Sequence, residues 1–218
     1  MKRAGLLLSL LVLLAAARFA ALSIEPYGDQ VFDLATGVTT LPEGGVIRDN
    51  ANDLSIDAEY VEYKEDVYVL ARKAKSEAGK VRFVAEQLRY ELPEDRVRLE
   101  GGVVLDTPQV KALEARGAWI FLGDGVAVLE DGVRAMRPEL EAQAMISDYR
   151  NGEALLLAPY RYRDAALGVT LSGKNPEKPL FLRFDAKTGE VQASSKVEAE
   201  VAARLLAYVE RVQAEVGP

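Results

Sequence analysis

The 218-residue chain contains neither cysteine nor histidine, which removes Ser-His-Asp and Cys-His nucleophile systems and most zinc, haem and iron–sulfur sites, leaving only carboxylate or lysine chemistry. Its 27 basic and 34 acidic residues give a net charge of −7 with no basic block, an argument against nucleic-acid binding. The length suits one domain that buries enough surface to need no disulfide.

Lys2 and Arg3 precede an apolar run, Ala4 to Ala17, broken only by Gly5 and Ser9, and Ala21-Leu22-Ser23 follows as a cleavage site. This is the layout of a secretory signal peptide, so residues 1–23 are expected to be a leader and the protein periplasmic. The run is short for a membrane span of ~20 residues. An uncleaved inner-membrane anchor, with Phe19 to Leu22 joining the span and Arg18 snorkelling, is the alternative. Without cysteine there is no lipobox.

The next signal is a turn, Phe32-Asp33-Leu34-Ala35-Thr36-Gly37, followed by Gly44-Gly45-Val46. A repeat then begins. Ala58-Glu59-Tyr60-Val61-Glu62-Tyr63 recurs as Ala85-Glu86-Gln87-Leu88-Arg89-Tyr90, and more loosely from Ala115 to Phe121 and from Ala144 to Tyr149, with the alanines 27, 30 and 29 residues apart. The third copy has one extra residue before its aromatic, read as a β-bulge or an insertion. Turn chemistry follows each aromatic: Lys64-Glu65-Asp66, Leu92-Pro93-Glu94-Asp95, Gly123-Asp124-Gly125 and Arg150-Asn151-Gly152, the last suiting a type I′ hairpin.

Between the turns the pattern has period two. Leu54, Ile56 and Ala58 share a face, as do Val81, Phe83 and Ala85, and on the return strands Val67/Val69, Val97/Leu99 and Val126/Val128. Charged residues such as Asp57, Glu59, Arg82, Arg96 and Arg98 occupy the other face. This is the pattern of antiparallel strands with one face buried and one wet. Gly101-Gly102-Val103 and Asp131-Gly132-Val133 permit a corner between layers, while the second copy has Arg72-Lys73-Ala74-Lys75 instead. A hairpin cannot bury its own apolar face, so the copies must stack on a shared core. Residues 24–193 are therefore expected to form an all-β, antiparallel β-jellyroll or taco-shaped repeat solenoid of about twelve to fourteen strands.

Gly173 to Pro179 reads as a loop, and Phe184-Asp185-Ala186-Lys187-Thr188-Gly189 repeats the first turn. In 194–218, Ser195 and Glu198 form a capping box and Val197, Val201, Leu205, Val209, Val212 and Val216 recur at helical spacing. One C-terminal amphipathic α-helix is expected, ~34 Å long, covering an open edge or end of the stack, with docking to another subunit as the alternative.

The order aromatic-Asp-x-x-Thr-Gly, alternating strand, Gly-x-Val, alternating strand, Ala-acidic-x-x-x-Tyr resembles that of the OstA-like lipopolysaccharide-transport family, which includes LptA, LptC and the N-terminal part of LptD. It is carried by Phe32-Asp33 and Thr36-Gly37, Gly45-Val46, Ala58-Glu59 with Tyr63, Ala85-Glu86 with Tyr90, Gly102-Val103, Gly132-Val133, and Phe184-Asp185 with Thr188-Gly189, over roughly residues 27 to 193. The family usually has Asp after the alanine; this chain has Glu59 and Glu86, then Arg116 and Met145. The resemblance implies a non-enzymatic carrier that shields the acyl chains of lipopolysaccharide or a related glycolipid. It also implies open edge strands that pair with further jellyroll subunits or with a second copy, toward an inner-membrane transporter complex. A soluble bridge, a membrane-anchored LptC-like component, an envelope scaffold and a carbohydrate-binding module stay open as roles. No catalytic residue, metal or cofactor is expected. The lipid-binding candidates are Ile56, Val69, Phe83, Leu99, Leu113 and Val128, each of which also reads as ordinary core.

Other features are weaker. Gly168 to Lys174 has the spacing of a phosphate-binding loop, but Asn175 replaces the Ser/Thr and Pro176 and Pro179 forbid the helix that should follow. Glu100, Asp106, Asp131 and Glu139 could be paired for glycoside hydrolysis, with nothing in the spacing to select a pair. Trp119, Tyr160 and Tyr162 could form a sugar platform. Met136 and Met145 could line a lipid path or fill gaps.

Overall fold

The computed structural model describes residues 22–49, 54–78, 81–107, 110–165, 167–185 and 187–216. The leader reading falls almost wholly outside them; only Leu22 and Ser23, the end of its cleavage site, are described, and they open the first strand. The strands are β1 Leu22–Pro26, β2 Val31–Asp33, β3 Val38–Leu41, β4 Gly45–Asp49, β5 Leu54–Ala58, β6 Tyr60–Lys64, β7 Tyr68–Ala78, β8 Val81–Glu91, β9 Arg96–Asp106, β10 Leu113–Phe121, β11 Val126–Glu130, β12 Val133–Met136, β13 Glu139–Asp148, β14 Glu153–Asp164, β15 Val169–Gly173, β16 Leu180–Phe184 and β17 Val191–Ser194, followed by the helix α1 Ala199–Val216.

All seventeen strands belong to one sheet, and every pairing is antiparallel. The long strands β7, β8, β9, β10, β13 and β14 each cross the sheet. Of these, β8 and β9 keep the same partners throughout, whereas β7, β10, β13 and β14 change partner on one side between their two halves. The first half of β7 pairs with β6 and the second half with β5. The strand segments therefore fall into two rows. The first runs from β1 through β4, β5, the long-strand segments and β12 to β15. The second runs from β2 through β3, β6, the other segments and β11 to β16 and β17.

One face of this sheet carries a continuous buried core with members from both rows, from Leu41 to Leu182. The helix lies against the opposite face. Only the sheet itself is left to cover the core, so the rows fold onto each other along the line where the long strands change partners. This is the folded-over architecture expected from the repeats.

The crease explains the repeated alanines. Ala58, Ala74, Ala85, Ala115 and Ala142 are each 7% exposed or less, and with Val103 and Val133 they line the fold where the rows converge and larger side chains would collide. Backbone irregularities sit beside them. Register shifts occur at Ala85/Gln87, Ala115/Gly117 and Ala142/Ala144. Positive φ angles occur at Gly44, Gly101, Gly102 and Gly132. Gly44 has the strictest requirement: at φ +80°, a Cβ there would lie 2.0 Å from the Ala58 carbonyl oxygen. The second copy, which lacks the glycine, bends at Lys73 instead, at φ +50° with its ammonium 2.7 Å from Glu59.

Several expectations need correcting. The inward position of Tyr63 and Tyr90 continues across the row to Ile120 and Ser147. Phe121 is thus one residue beyond the equivalent position and points outward. The third copy has neither an insertion nor a bulge of its own. The extra residues lie on the partner strands, at Gly101-Gly102 of β9 opposite both Glu86 and Arg116, and at Ala158-Pro159 of β14 opposite Gln143. By the same register the fourth alanine is Ala142, not Ala144. At Asn151-Gly152 only the glycine has positive φ, so the turn is not type I′; Asp148 accepts the Asn151 N–H at 2.9 Å and makes a longer loop. The helix begins at Ala199, four residues after the expected cap, because the Ser194 hydroxyl takes the Lys196 N–H at 3.0 Å and holds 194–196 in a tight turn. At 18 residues it is shorter than expected, about 27 Å long. It covers neither an edge nor an end but the outer face of the second row.

Candidate lipid-binding slot between the rows

The period-two pattern generates the interior as cross-strand rungs. In the second row one rung reads Leu41, Val61, Ala71, Leu88, Leu99, Ala118, Leu129, Met145, Leu156 and Leu180, all of them buried. In the first row the central rung reads Ile24, Ile47, Ile56, Ser76, Phe83, Leu105, Leu113, Ala135, Leu140, Tyr162 and Leu171. Five of the six predicted lipid-binding residues join this interior: Ile56, Val69, Phe83, Leu99 and Leu113, at 1% to 8% exposure.

Val128 does not. The residues of β11 that face the slot are Ala127 and Leu129, while Val126 and Val128 lie under the helix. The strand is apolar on both faces because both are covered, so period-two reasoning had no wet face from which to choose the register. Met145 belongs to the interior and Met136 is 74% exposed outside it.

The slot is closed. The void between the rows, lined by Leu22, Ile47, Asp49, Leu54, Ile56, Val69, Leu88 and Tyr90, measures 10 Å³, about the room one water needs. Among the described residues the mouth opposite the crease is held by side-chain packing rather than by backbone pairing between the rows.

Polar groups inside are few. Asp49 is 5% exposed at the mouth and Thr39 9%. Ser76 is 3% exposed, and its Oγ has no hydrogen-bond partner among the described residues. Burial pushes the Tyr162 hydroxyl up from its ordinary pKa. Tyr90, at the rim, donates to Asp95 at 2.9 Å.

The outer face of the second row carries the feature that sequence reasoning missed, a second core. Trp119, Phe121, Val126, Val128, Ile146 and Leu155 pack beneath Leu205 and Val212 of α1. Non-alternating runs, Val126-Ala127-Val128-Leu129 and Ala154-Leu155-Leu156-Leu157, were the available signal. Ion pairs fix the helix. Arg204 reaches Asp148 and, at 2.7 Å, Glu153; Arg211 meets Asp124 at 3.0 Å; Glu215 meets Arg96 at 2.6 Å. Burial pushes the Asp148 carboxyl up, but hydrogen bonds from Asn151 and Arg204 outweigh it and hold the pKa below the usual carboxylate range. Trp119 is 9% exposed, with Arg96 and Arg98 over its ring at 5.1 and 4.6 Å, and Tyr162 is 2% exposed in the interior. The three aromatics thus form no exposed platform.

Nothing gathers the acidic candidates into a site. Glu100 pairs with Arg98, Glu139 with Arg163, Asp106 accepts the Ala112 N–H and Asp131 forms a crease turn. Among the described residues no cluster of three potential metal ligands occurs, and no helix is long and apolar enough to cross a membrane. Val169 to Gly173 is an edge strand followed by a loop, without the helix a phosphate site needs.

No family model and no curated protein matches the chain. Among solved structures it is similar to the crystal structure of LptH from Pseudomonas aeruginosa, titled the LptA-homologous periplasmic component of the lipopolysaccharide transport device. The TM-score is 0.37 and the identity 10%, over 81% of this chain and 95% of that one.

Proposed function

We propose that the chain is a non-enzymatic periplasmic carrier or bridge module whose interior shields the acyl chains of lipopolysaccharide or a related glycolipid. The observation that carries this reading is the pair of apolar rungs facing each other across the fold from one edge of each row toward the other. A groove of that composition offers a lipid tail ~0.8 kcal/mol per buried CH₂. Entry requires the rows to part, and a sheet hinged on one crease and closed elsewhere by side chains is built for that motion. The edge strands β1, β2, β15 and β17, with Tyr27, Val31, Phe32 and Leu34 exposed at one end and Leu167 and Val169 at the other, are the surfaces for pairing with a second copy or another β-jellyroll subunit.

A photo-crosslinking amino acid at Val69, with a second at Val128, tests the reading. Purified lipopolysaccharide is expected to crosslink at Val69 and not at Val128, and its delipidated saccharide at neither. Equal capture at both positions, or of the bare sugar, would overturn it. The closed slot favours a second reading, an envelope scaffold that polymerises through its edges without lipid. Concentration-dependent filaments combined with no crosslink at Val69 would select that one.

A further inference from the structure

We infer that Ser76 makes the slot selective for chains that carry a hydroxyl, over plain alkyl chains. This rests on the acyl-chain reading above and names the group that would discriminate. Ser76 is the fourth residue of the first-row rung, with Ile56 and Phe83 as its cross-strand neighbours. Its side chain points into an apolar interior at 3% exposure, and its Oγ is unpartnered among the described residues. A buried hydroxyl without a partner opposes folding, and alanine, which occupies interior positions throughout this chain, would avoid the cost. The hydroxyl can both donate and accept one hydrogen bond. The 10 Å³ void borders Ile56, one strand away. When the rows part there, a chain lying along the rung brings its own substituents past Ser76. A methylene leaves the serine without a bond; a hydroxyl donates to its Oγ or accepts from its O–H. A site that loses a hydrogen bond with one ligand and makes it with another discriminates by that difference.

The experiment compares tetradecanoic acid with a series of its mono-hydroxylated isomers, by displacement of an apolar fluorescent probe from the full mature chain. At least one isomer is expected to bind about three- to tenfold more tightly than the plain acid, the range of one net hydrogen bond. Ser76→Ala is expected to bind all the acids alike and to melt no lower than wild type. Binding of the plain acid with no isomer preferred, or a preference that survives in Ser76→Ala, would overturn the role of Ser76 and leave the acyl reading standing. A Ser76→Ala protein that melts below wild type would also overturn it, because the hydroxyl would then be bonded already in the free protein. Failure of wild type to bind any of the acids would overturn both readings.

Discussion

Arg204 of the helix and Asp148 at the end of β13 form an ion pair in which the carboxylate is 2% exposed and the guanidinium 38%. The pair fastens α1 to the outer face of the sheet, and Asp148 also holds the Asn151 turn, through the backbone N–H at 2.9 Å and the side-chain amide at 2.7 Å. One carboxylate thus serves the helix and the hairpin together.

Arg204→Met is expected to destabilise the protein by about 1–3 kcal/mol, the cost of stranding a buried acceptor that keeps its other bonds. The pH dependence has a definite sign. The folded Asp148 pKa is depressed, so its contribution is fully present above the unfolded value, ~3.9, and is lost as pH falls through the folded value. Urea unfolding between pH 7 and pH 3 should show this acid-side loss in wild type and a smaller one in Arg204→Met. Equal slopes would show that the pair does not stabilise the fold.

The crease gives a comparison within one residue type. Gly44 and Gly37 both have positive φ, +80° and +70°, but a Cβ at Gly44 meets backbone at 2.0 Å while one at Gly37 meets nothing within 4 Å. Gly37→Ala should cost about 1–2 kcal/mol, the left-handed penalty alone. Gly44→Ala should cost more, because the β3–β4 corner must also move away from Ala58, and thermal melting of the two variants measures the difference. Equal losses would mean the corner yields freely.

The sheet, its crease and most of its inward faces were legible where one face is wet, though Val67, expected inward beside Val69, lies in the turn before β7 and is 41% exposed. Leu54, Ile56, Phe83, Val97 and Leu99 all take the side that alternation predicts. The reading failed where the helix covers the sheet. There the outer positions hold Trp119, Val128, Ile146 and Leu155, while their counterparts in the first two copies are Glu62 and Arg89, which stay on the outer face. A repeat that has lost its polar positions looks degenerate in sequence, and this is why the third and fourth copies aligned poorly. The loss is the imprint of α1. The closed state of the slot was not legible at all, since alternation reports which side chains face inward and not how far apart the rows stand.

The same helix converts the single tryptophan into a reporter. Trp119 lies in the outer cluster, with Arg98 bonded at 2.5 Å to Glu130 and Arg96 bonded to Glu215 of α1. Its emission therefore follows helix docking rather than occupancy of the slot. Leu205→Ala removes a fully buried side chain from this cluster and should cost about 2–5 kcal/mol. Where the helix undocks before the sheet unfolds, Trp119 emission should shift to the red at a denaturant concentration at which far-ultraviolet strand signal persists. Coincident transitions in both variant and wild type would make helix and sheet a single cooperative unit. A slot ligand, by contrast, should leave Trp119 emission unchanged, because the sheet itself separates the two cores.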